Sequence, residues 1–306
     1  MKQLTIQPND AGQRLDKFLI KALRLPASFL YKALRKKRIK LDGARAHGSE
    51  ILREGQVLSL YLNDDLFPSP APADRGVAGA LSIVYEDPDL LILDKPAGLL
   101  SHAPAGEDSL LARARRYLID SGAFSPESEQ TFAPALCNRL DRNTAGLLLV
   151  AKNAPALRRT NALLAERKIH KFYLCLCEGC PSPREGEWFA FYEKDEKANR
   201  ALLFSSPAPG RARVGVGYHV LERREGCALC EVELFTGKSH QIRALFSRAG
   251  HPLCGDAKYG ARQSGGQALV AWRLVFDFPA EEGPLAALAG REIRLSEDPR
   301  ALGKKA

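Results

Sequence analysis

Residues 138–153 read NRLDRNTAGLLLVAKN: one carboxylate between two arginines, then small residues, then an apolar run. The run at Gly146–Ala151 is short for a helix and reads as a buried strand. Thr144, Ala145 and Gly146 supply small residues for a tight turn before it, which would present Asp141 on a loop backed by that strand. Arg139 or Arg142 would keep the carboxylate ionised, because an opposite charge within several ångströms lowers an acid's pKa. Such a group can act as a nucleophile or stabilise a cationic sugar centre; the plainer alternative is a surface ion pair closing a loop.

On either side of this stretch the chain mixes strands and helices without regular alternation. LSIVYEDPDLLILDKPAG at 81–98 reads as two strands around an Asp87-Pro88 turn, and 107–121 as a helix using Leu110, Leu111, Ala114, Tyr117 and Leu118. Asn153 and Pro155 open a helix to about Arg167, FYLCLCEG at 172–179 and CALCEVELFTG at 227–237 read as strands, and SHQIRALFSRAG makes a helix closed by Gly250. The expected fold class is α+β, with a mixed, mainly antiparallel sheet and flanking helices.

The net charge of +9 is lopsided. Residues 1–62 hold 13 Lys or Arg against 5 Asp or Glu, a balance of +8, which leaves 32 basic and 31 acidic residues downstream. Clustered charge of this kind suggests a polyanion-binding module on a near-neutral body. Residues 14–25 place Leu15, Phe18, Leu19, Ala22 and Leu23 at helical spacing. A second helix from Pro26 turns Leu30 and Leu34 inward and leaves Lys32, Arg35, Lys36 and Lys37 outside, followed by Arg38 and Lys40 on a short strand before an Asp42-Gly43 turn. These six basic residues are the candidate RNA contacts. The Pro-, Ala- and Asp-rich segment 63–80 reads as a linker, giving a small N-terminal α/β domain at 1–62 and a main domain at 81–306.

Residues 1–62, through RLDKFL, the basic second helix and IKLDG, resemble the RNA-binding domain first described in ribosomal protein S-four. RLDRNTAGLLLVAKN resembles the signature of the RluA-type pseudouridine synthases, and LLILDKPAGLLSH (90–102), KFYLCLCEG (171–179) and TGKSHQIRALFSRAGHPLCGDAKYG (236–260) agree in order and spacing. The resemblance covers residues 81–260. It implies a pseudouridine synthase catalytic domain that detaches uracil from ribose in RNA, turns it and rejoins it through carbon, without cofactor or metal. It implies Asp141 as the catalytic carboxylate, Tyr173 as the aromatic that packs on the target base and a proposed proton acceptor, and Arg243 as the partner of the aspartate and a wedge for the vacated space. Lys95, Asn138, Arg139 and His240 are expected to shape the site, with Lys95 also a candidate for a phosphate contact. Asn138 stands where the family usually has histidine and Ala145 where it has serine, and Lys238 and Ser239 replace the common arginine and threonine. The first two departures would weaken hydrogen bonds that set the Asp141 loop. They are the support for an alternative, a non-catalytic RNA-binding ribosome-assembly factor on the same fold.

Three other readings are weaker. Cys177-x-x-Cys180 with Cys227-x-x-Cys230 would suit four-thiolate zinc, but the cysteines fall on or beside predicted strands, where tight chelating turns are awkward, and no metal is expected. His102, His240 and His251 read as structural, with His240 orienting a turn, and GRARVGVG at 210–217 lacks any nucleotide-cradle spacing. A glycoside hydrolase would need a second carboxylate acid that no motif nominates. Seven cysteines in 306 residues fit reduced thiols, no apolar run approaches the roughly 20 residues of a membrane span, and the start lacks a secretory stretch. The expectation is therefore a cytoplasmic monomer with no membrane contact, acting on RNA. Ribosomal RNA is favoured over tRNA, because within the family an attached domain of this type accompanies ribosomal substrates more often.

Overall fold

The structure is a computed structural model and describes residues 1–63, 74–280 and 282–296. Its first body contains β1 (Lys2–Thr5), α1 (Leu15–Leu23), α2 (Ala27–Arg35), β2 (Ile39–Leu41), β3 (Ala44–Arg45) and β4 (Val57–Leu60). The four strands pair antiparallel in the order β1-β4-β2-β3. The helical apolar spacing does the packing: Leu15, Phe18, Leu19 and Leu23 meet Leu30, Leu34, Ile39, Leu58 and Leu60 in one buried cluster. Asp16, buried beside these, accepts from Arg14 Nη2 at 2.9 Å and from the Tyr31 hydroxyl at 2.9 Å, which ties α1 to α2. Asp42 and Gly43 both take positive φ, 50° and 78°, the backbone that a two-residue hairpin between β2 and β3 requires. Helix α2 ends earlier than its sequence pattern suggests. Lys37 turns to φ 59°, so Lys36, Lys37 and Arg38 stand on the loop leading to β2.

The second body begins before residue 81. Residues 64–73 of the expected linker lie outside the described residues, but 74–80 are not a free tether. They run along α3 (Leu110–Asp120), where Val77 N donates to Ala112 O at 3.1 Å and Arg113 Nη1 to Ala80 O at 3.1 Å. After β5 (Ser82–Glu86) and β6 (Leu90–Lys95) come β7 (Ala135–Leu136), β8 (Ala145–Ala151), α4 (Ala154–Ala165) and β9 (Ile169–Glu178). Then follow β10 (Glu185–Asp195), β11 (Arg200–Phe204), β12 (Ala212–Arg224), β13 (Cys227–Leu234), α5 (Gln241–Arg248), β14 (Leu269–Phe276) and β15 (Glu292–Arg294). Eleven strands make one sheet in the order β11-β10-β12-β13-β9-β14-β8-β6-β5, with β7 beside β8 and β15 beside β14. Every pairing is antiparallel except β14 with β8, so the sheet is mixed and mainly antiparallel. Strands β10 to β12 and β14 have no counterpart in the sequence reading. In β12 the glycines of the 210–217 stretch make room for rings: a Cβ on Gly217 would come within 3.1 Å of Phe235, and one on Gly215 would strike Phe189.

The position of the site follows from the middle of this sheet. Ala271 of β14 is in register with Gly146 of β8 on one side and Tyr173 of β9 on the other. Two strand spacings, about 10 Å, therefore separate the start of β8 from Tyr173. The tight turn lies two positions earlier than expected: Arg142 and Asn143 form it, closed by Thr144 N to Asp141 O at 3.0 Å. Gly146 serves the strand instead, with φ 113° and an α-carbon so close to β14 that a Cβ would collide with the Ala271 carbonyl. Gly146→Ala should therefore destabilise the main body by about 2–5 kcal/mol, from positive-φ strain and overpacking together. A urea midpoint equal to that of the unsubstituted protein would contradict this reading of the β8–β14 contact.

Candidate active site

Helix α5 starts at His240, which takes a left-handed backbone (φ 57°) at the end of the loop after β13. This start turns Arg243 inward, leaving it only 7% exposed. Its Nε and Nη2 reach Asp256 Oδ2 and Oδ1 at 2.6 and 2.8 Å, a fork-on-fork pairing, and its Nη1 reaches Asp141 Oδ2 at 3.3 Å. The partner of Asp141 is thus Arg243, 102 positions away in sequence. Arg142 instead donates through Nε to Gly98 O at 2.9 Å, and Arg139 is exposed with no charged partner among the described residues. Arg243 is also no mobile wedge, because Asp256, itself 3% exposed, holds the guanidinium by two bonds. The Tyr259 ring lies 4.9 Å from that guanidinium. Its hydroxyl accepts Ala201 N–H at 2.8 Å and stands 3.0 Å from His240 Nδ1. When the hydroxyl donates to Nδ1, Nε2 is the protonated nitrogen, and it is the one that faces Asp141 Oδ2 at 3.9 Å. Burial holds the His240 pKa below the usual histidine value, against the opposing pull of Asp141.

The loop that carries Asp141 is stitched to its surroundings. Lys95, at the end of β6, is fully buried, and its ammonium donates to Pro96 O, Leu99 O and Arg142 O at 2.9, 2.8 and 2.9 Å. These three carbonyls occupy it, so Lys95 is a strut under the loop and makes no phosphate contact. Burial pushes its pKa down to about 8 despite the nearby Asp141 and Asp94 charges. Ser101 Oγ donates to Leu140 O at 2.7 Å and accepts Leu140 N–H at 3.1 Å, and Gln267 Nε2 donates to Thr144 Oγ1 at 2.8 Å. Asn138 Oδ1 accepts Leu149 N–H at 2.8 Å. The residue that departs from the family pattern thus supplies a bond that sets the loop, which removes half of the support for the non-catalytic alternative.

Tyr173 extends from β9 into the same cavity and is 5% exposed. Burial first, and the charge of Asp141 second, push its phenol pKa well above the ordinary value, so the hydroxyl is neutral at physiological pH. The cavity encloses about 970 Å³. Its lining includes Arg139, Arg142, Lys171, Lys194, Lys238, Arg243 and Lys258 against a single carboxylate, Asp141, with Leu140, Ile242 and Leu269 among the apolar groups. His102 is exposed in the cavity wall, while His251 Nδ1 lies 3.0 Å from Glu178 O, outside it. Sequence reasoning did not single out Asp256, Tyr259, Ser101 or Gln267. Asp256 and Tyr259 lie within 236–260 and Ser101 within 90–102, where an acid between small residues reads as part of a turn and a serine as a loop residue.

The cysteines are packing groups. Cys175 and Cys177 of β9 and Cys230 of β13 are buried in the core, with Cys177 and Cys230 sulfurs 3.8 Å apart. Among the described residues no group of three or more His, Cys, Asp or Glu is placed to hold a metal ion. None of their helices is long and apolar enough to cross a membrane.

The six basic candidates of the first body lie on α2, on the loop after it and on β2. Lys32, Arg35, Lys36, Lys37 and Arg38 are exposed, and Lys40 lies over the exposed ring of Tyr61, 5.6 Å from its centre. None pairs with an acid among the described residues.

Comparison with known proteins adds an independent line. The family model described as RNA pseudouridylate synthase matches residues 89–248, which contain Asp141, Tyr173 and Arg243. The ribosomal large subunit pseudouridine synthase C of Yersinia pestis is 30% identical over 270 residues, covering 85% of this chain and 80% of that protein. The protein of the same name from Vibrio cholerae is 30% identical over 313 residues, 96% of this chain and 94% of the other. Among solved structures, human RNA pseudouridylate synthase domain containing 1 superposes with a TM-score of 0.55 at 22% identity, covering 72% of this chain and 85% of that one, and so shares the fold. The family match takes in more than half of the chain and these relatives align along most of its length: the chain belongs to the RNA pseudouridylate synthase family.

Proposed function

We propose that the chain isomerises uridine to pseudouridine in the RNA of the large ribosomal subunit, with Asp141 as the catalytic carboxylate. The observation that carries this reading is the cavity itself, where a lone acid is fixed by a buried arginine among seven cations and faces an aromatic ring. A polyanion is drawn in by that charge, and a base turned out of its stack finds the face of Tyr173 to compensate for lost stacking, a cost of a few kcal/mol. Asp141 then attacks or electrostatically supports the anomeric carbon while the bond from ribose to nitrogen breaks. The freed uracil turns and rejoins through carbon, and the proton on that carbon must leave. Because the Tyr173 phenol is neutral, stacking is the role its environment supports directly; as a base it would have to pass its own proton on. The substrate assignment rests on the names of the relatives and on the basic surface of the first body, which would hold the RNA backbone. That surface is the feature shared with the domain type of ribosomal protein S-four, and it supports the placement of an RNA-binding domain at 1–62 and the catalytic domain after the linker.

Four measurements test this. Asp141→Asn should lower pseudouridine formation on the order of 10³-fold or more while RNA affinity stays near that of the unsubstituted protein. Site-resolved mapping in ribosomal RNA from cells with and without the protein identifies the uridine, and an unchanged map, or turnover retained by Asp141→Asn, rejects the proposal. Lys95→Met removes the strut under the loop without touching substrate, and should reduce kcat about 10²-fold with KM nearly unchanged. A rise in KM alone would show that Lys95 does not position Asp141. Replacing Arg35, Lys36, Lys37 and Arg38 together by Ala should weaken RNA binding and flatten its salt dependence, by about 0.7–0.9 in log–log slope for each phosphate that is no longer neutralised, leaving turnover of saturated enzyme intact. An unaltered slope would clear this surface of any role in holding RNA.

A further inference from the structure

Seven lysines and arginines line the cavity, and their surroundings differ. Arg139, Arg142, Lys194, Lys238 and Lys258 are exposed, where water solvates them at little cost. Arg243 is buried and neutralised by Asp256 and Asp141. Lys171 fits neither description. It is drawn in from solvent on β9, and no hydrogen bond or ion pair to its ammonium is found among the described residues. Its ammonium stands beside Gly237, where a Cβ would come within 3.7 Å of it, so the missing side chain keeps its surroundings open. Burial alone holds its pKa below the ordinary lysine value, with no carboxylate near enough to oppose the shift. A positive charge withdrawn from water and left without a counter-charge is unfavourable, and it gains more from an arriving anion than a solvated one does.

The chain position says where that anion would be. Lys171 precedes Tyr173 by two residues, so the two side chains leave the strand on the same face, about 7 Å apart along it. One nucleotide covers such a span between its base and its own phosphate. The only anions along an RNA strand are its phosphodiesters.

We propose that Lys171 is a phosphate-binding residue of the site, its ammonium receiving the phosphodiester of the nucleotide whose base stacks on Tyr173. This rests on the reading of the cavity as the uridine site and adds to it a specific anchor inside the cavity, distinct from the exposed cations at its rim and from the surface of the first body. The anchor holds the sugar in place while the base is detached, and a nucleotide without its flanking phosphate cannot use it.

The full-length protein is tested with a short RNA containing the uridine identified by mapping. The phosphates on either side of it are kept as phosphodiesters or replaced one at a time by neutral methylphosphonates. With the unsubstituted protein one of these replacements should weaken binding on the order of 10-fold. Lys171→Met should weaken binding of the natural RNA by a similar factor, lose its sensitivity to that same replacement, and reduce the salt slope by about 0.7–0.9. Lys171→Arg, which keeps the charge, should retain both the affinity and the sensitivity, while Lys171→Gln, polar but neutral, should lose both and carries the test if the methionine variant does not fold. A merely structural lysine would leave the response to the methylphosphonate intact in the neutral variants, and that result overturns the proposal. So does an unsubstituted protein indifferent to both replacements. If that protein converts no uridine in any RNA, the functional reading falls together with this one; conversion without coupling to Lys171 removes this one alone.

Discussion

The site depends on one guanidinium shared unequally by two carboxylates. Asp256 occupies Nε and Nη2 of Arg243 completely, and Asp141 receives what is left, one longer contact from Nη1. The inequality matters. Burying an arginine is unfavourable unless its geometry is saturated, and Asp256 saturates it, so the cation is fixed in place whether or not substrate is present. Asp141 is thereby oriented through Oδ2 alone, and the residue still lines the cavity. Without Arg243 the interior would hold two acids and no base between them, a far worse arrangement than the absence of a surface pair.

The same restraint runs through the backbone around it. The loop 138–144 has no regular secondary structure, yet its carbonyls and amides are taken up by Lys95, Ser101 and Gly98 from the strand end opposite. Asn138 and Gln267 close the remaining sides. Together with the close approach of Gly146 to β14, these contacts make a loop as well determined as the sheet that carries it. The first body is built differently, with a small apolar core and exposed cations on and after α2 that have no acidic partner among the described residues. It meets the second through polar contacts such as Asn9 Nδ2 to Glu129 Oε1 at 2.7 Å and Thr131 Oγ1 to Asp10 Oδ1 at 2.6 Å.

Much of this was legible in the order of residues because it is local. Gly146–Ala151 reads as a strand, Asn153 as the cap of α4, and the helical spacing around Arg243 as α5, and each formed as read. The pairing of Asp141 with Arg243 entered through a family signature, since nothing in local sequence joins positions 102 apart. The true role of Lys95 left no mark, because its partners are backbone carbonyls, which every residue carries. Asp256 looked like turn chemistry, and only the fold brings it under α5. Strand β12 was hidden for a related reason: Gly215 and Gly217 stand where an alternating pattern would place side chains, and the rings of Phe189 on β10 and Phe235 just after β13 fill that space.

A loop so firmly anchored has little freedom to adapt, and this decides which molecule must yield. The acid waits at a fixed height in a fixed wall, so bending, twisting and unpairing fall to the nucleic acid. Helical RNA resists that deformation, whereas hairpin tips, bulges and internal junctions already hold bases loosely. The stiffness of a short stretch of protein thus becomes a filter on RNA shape, applied before any base is read.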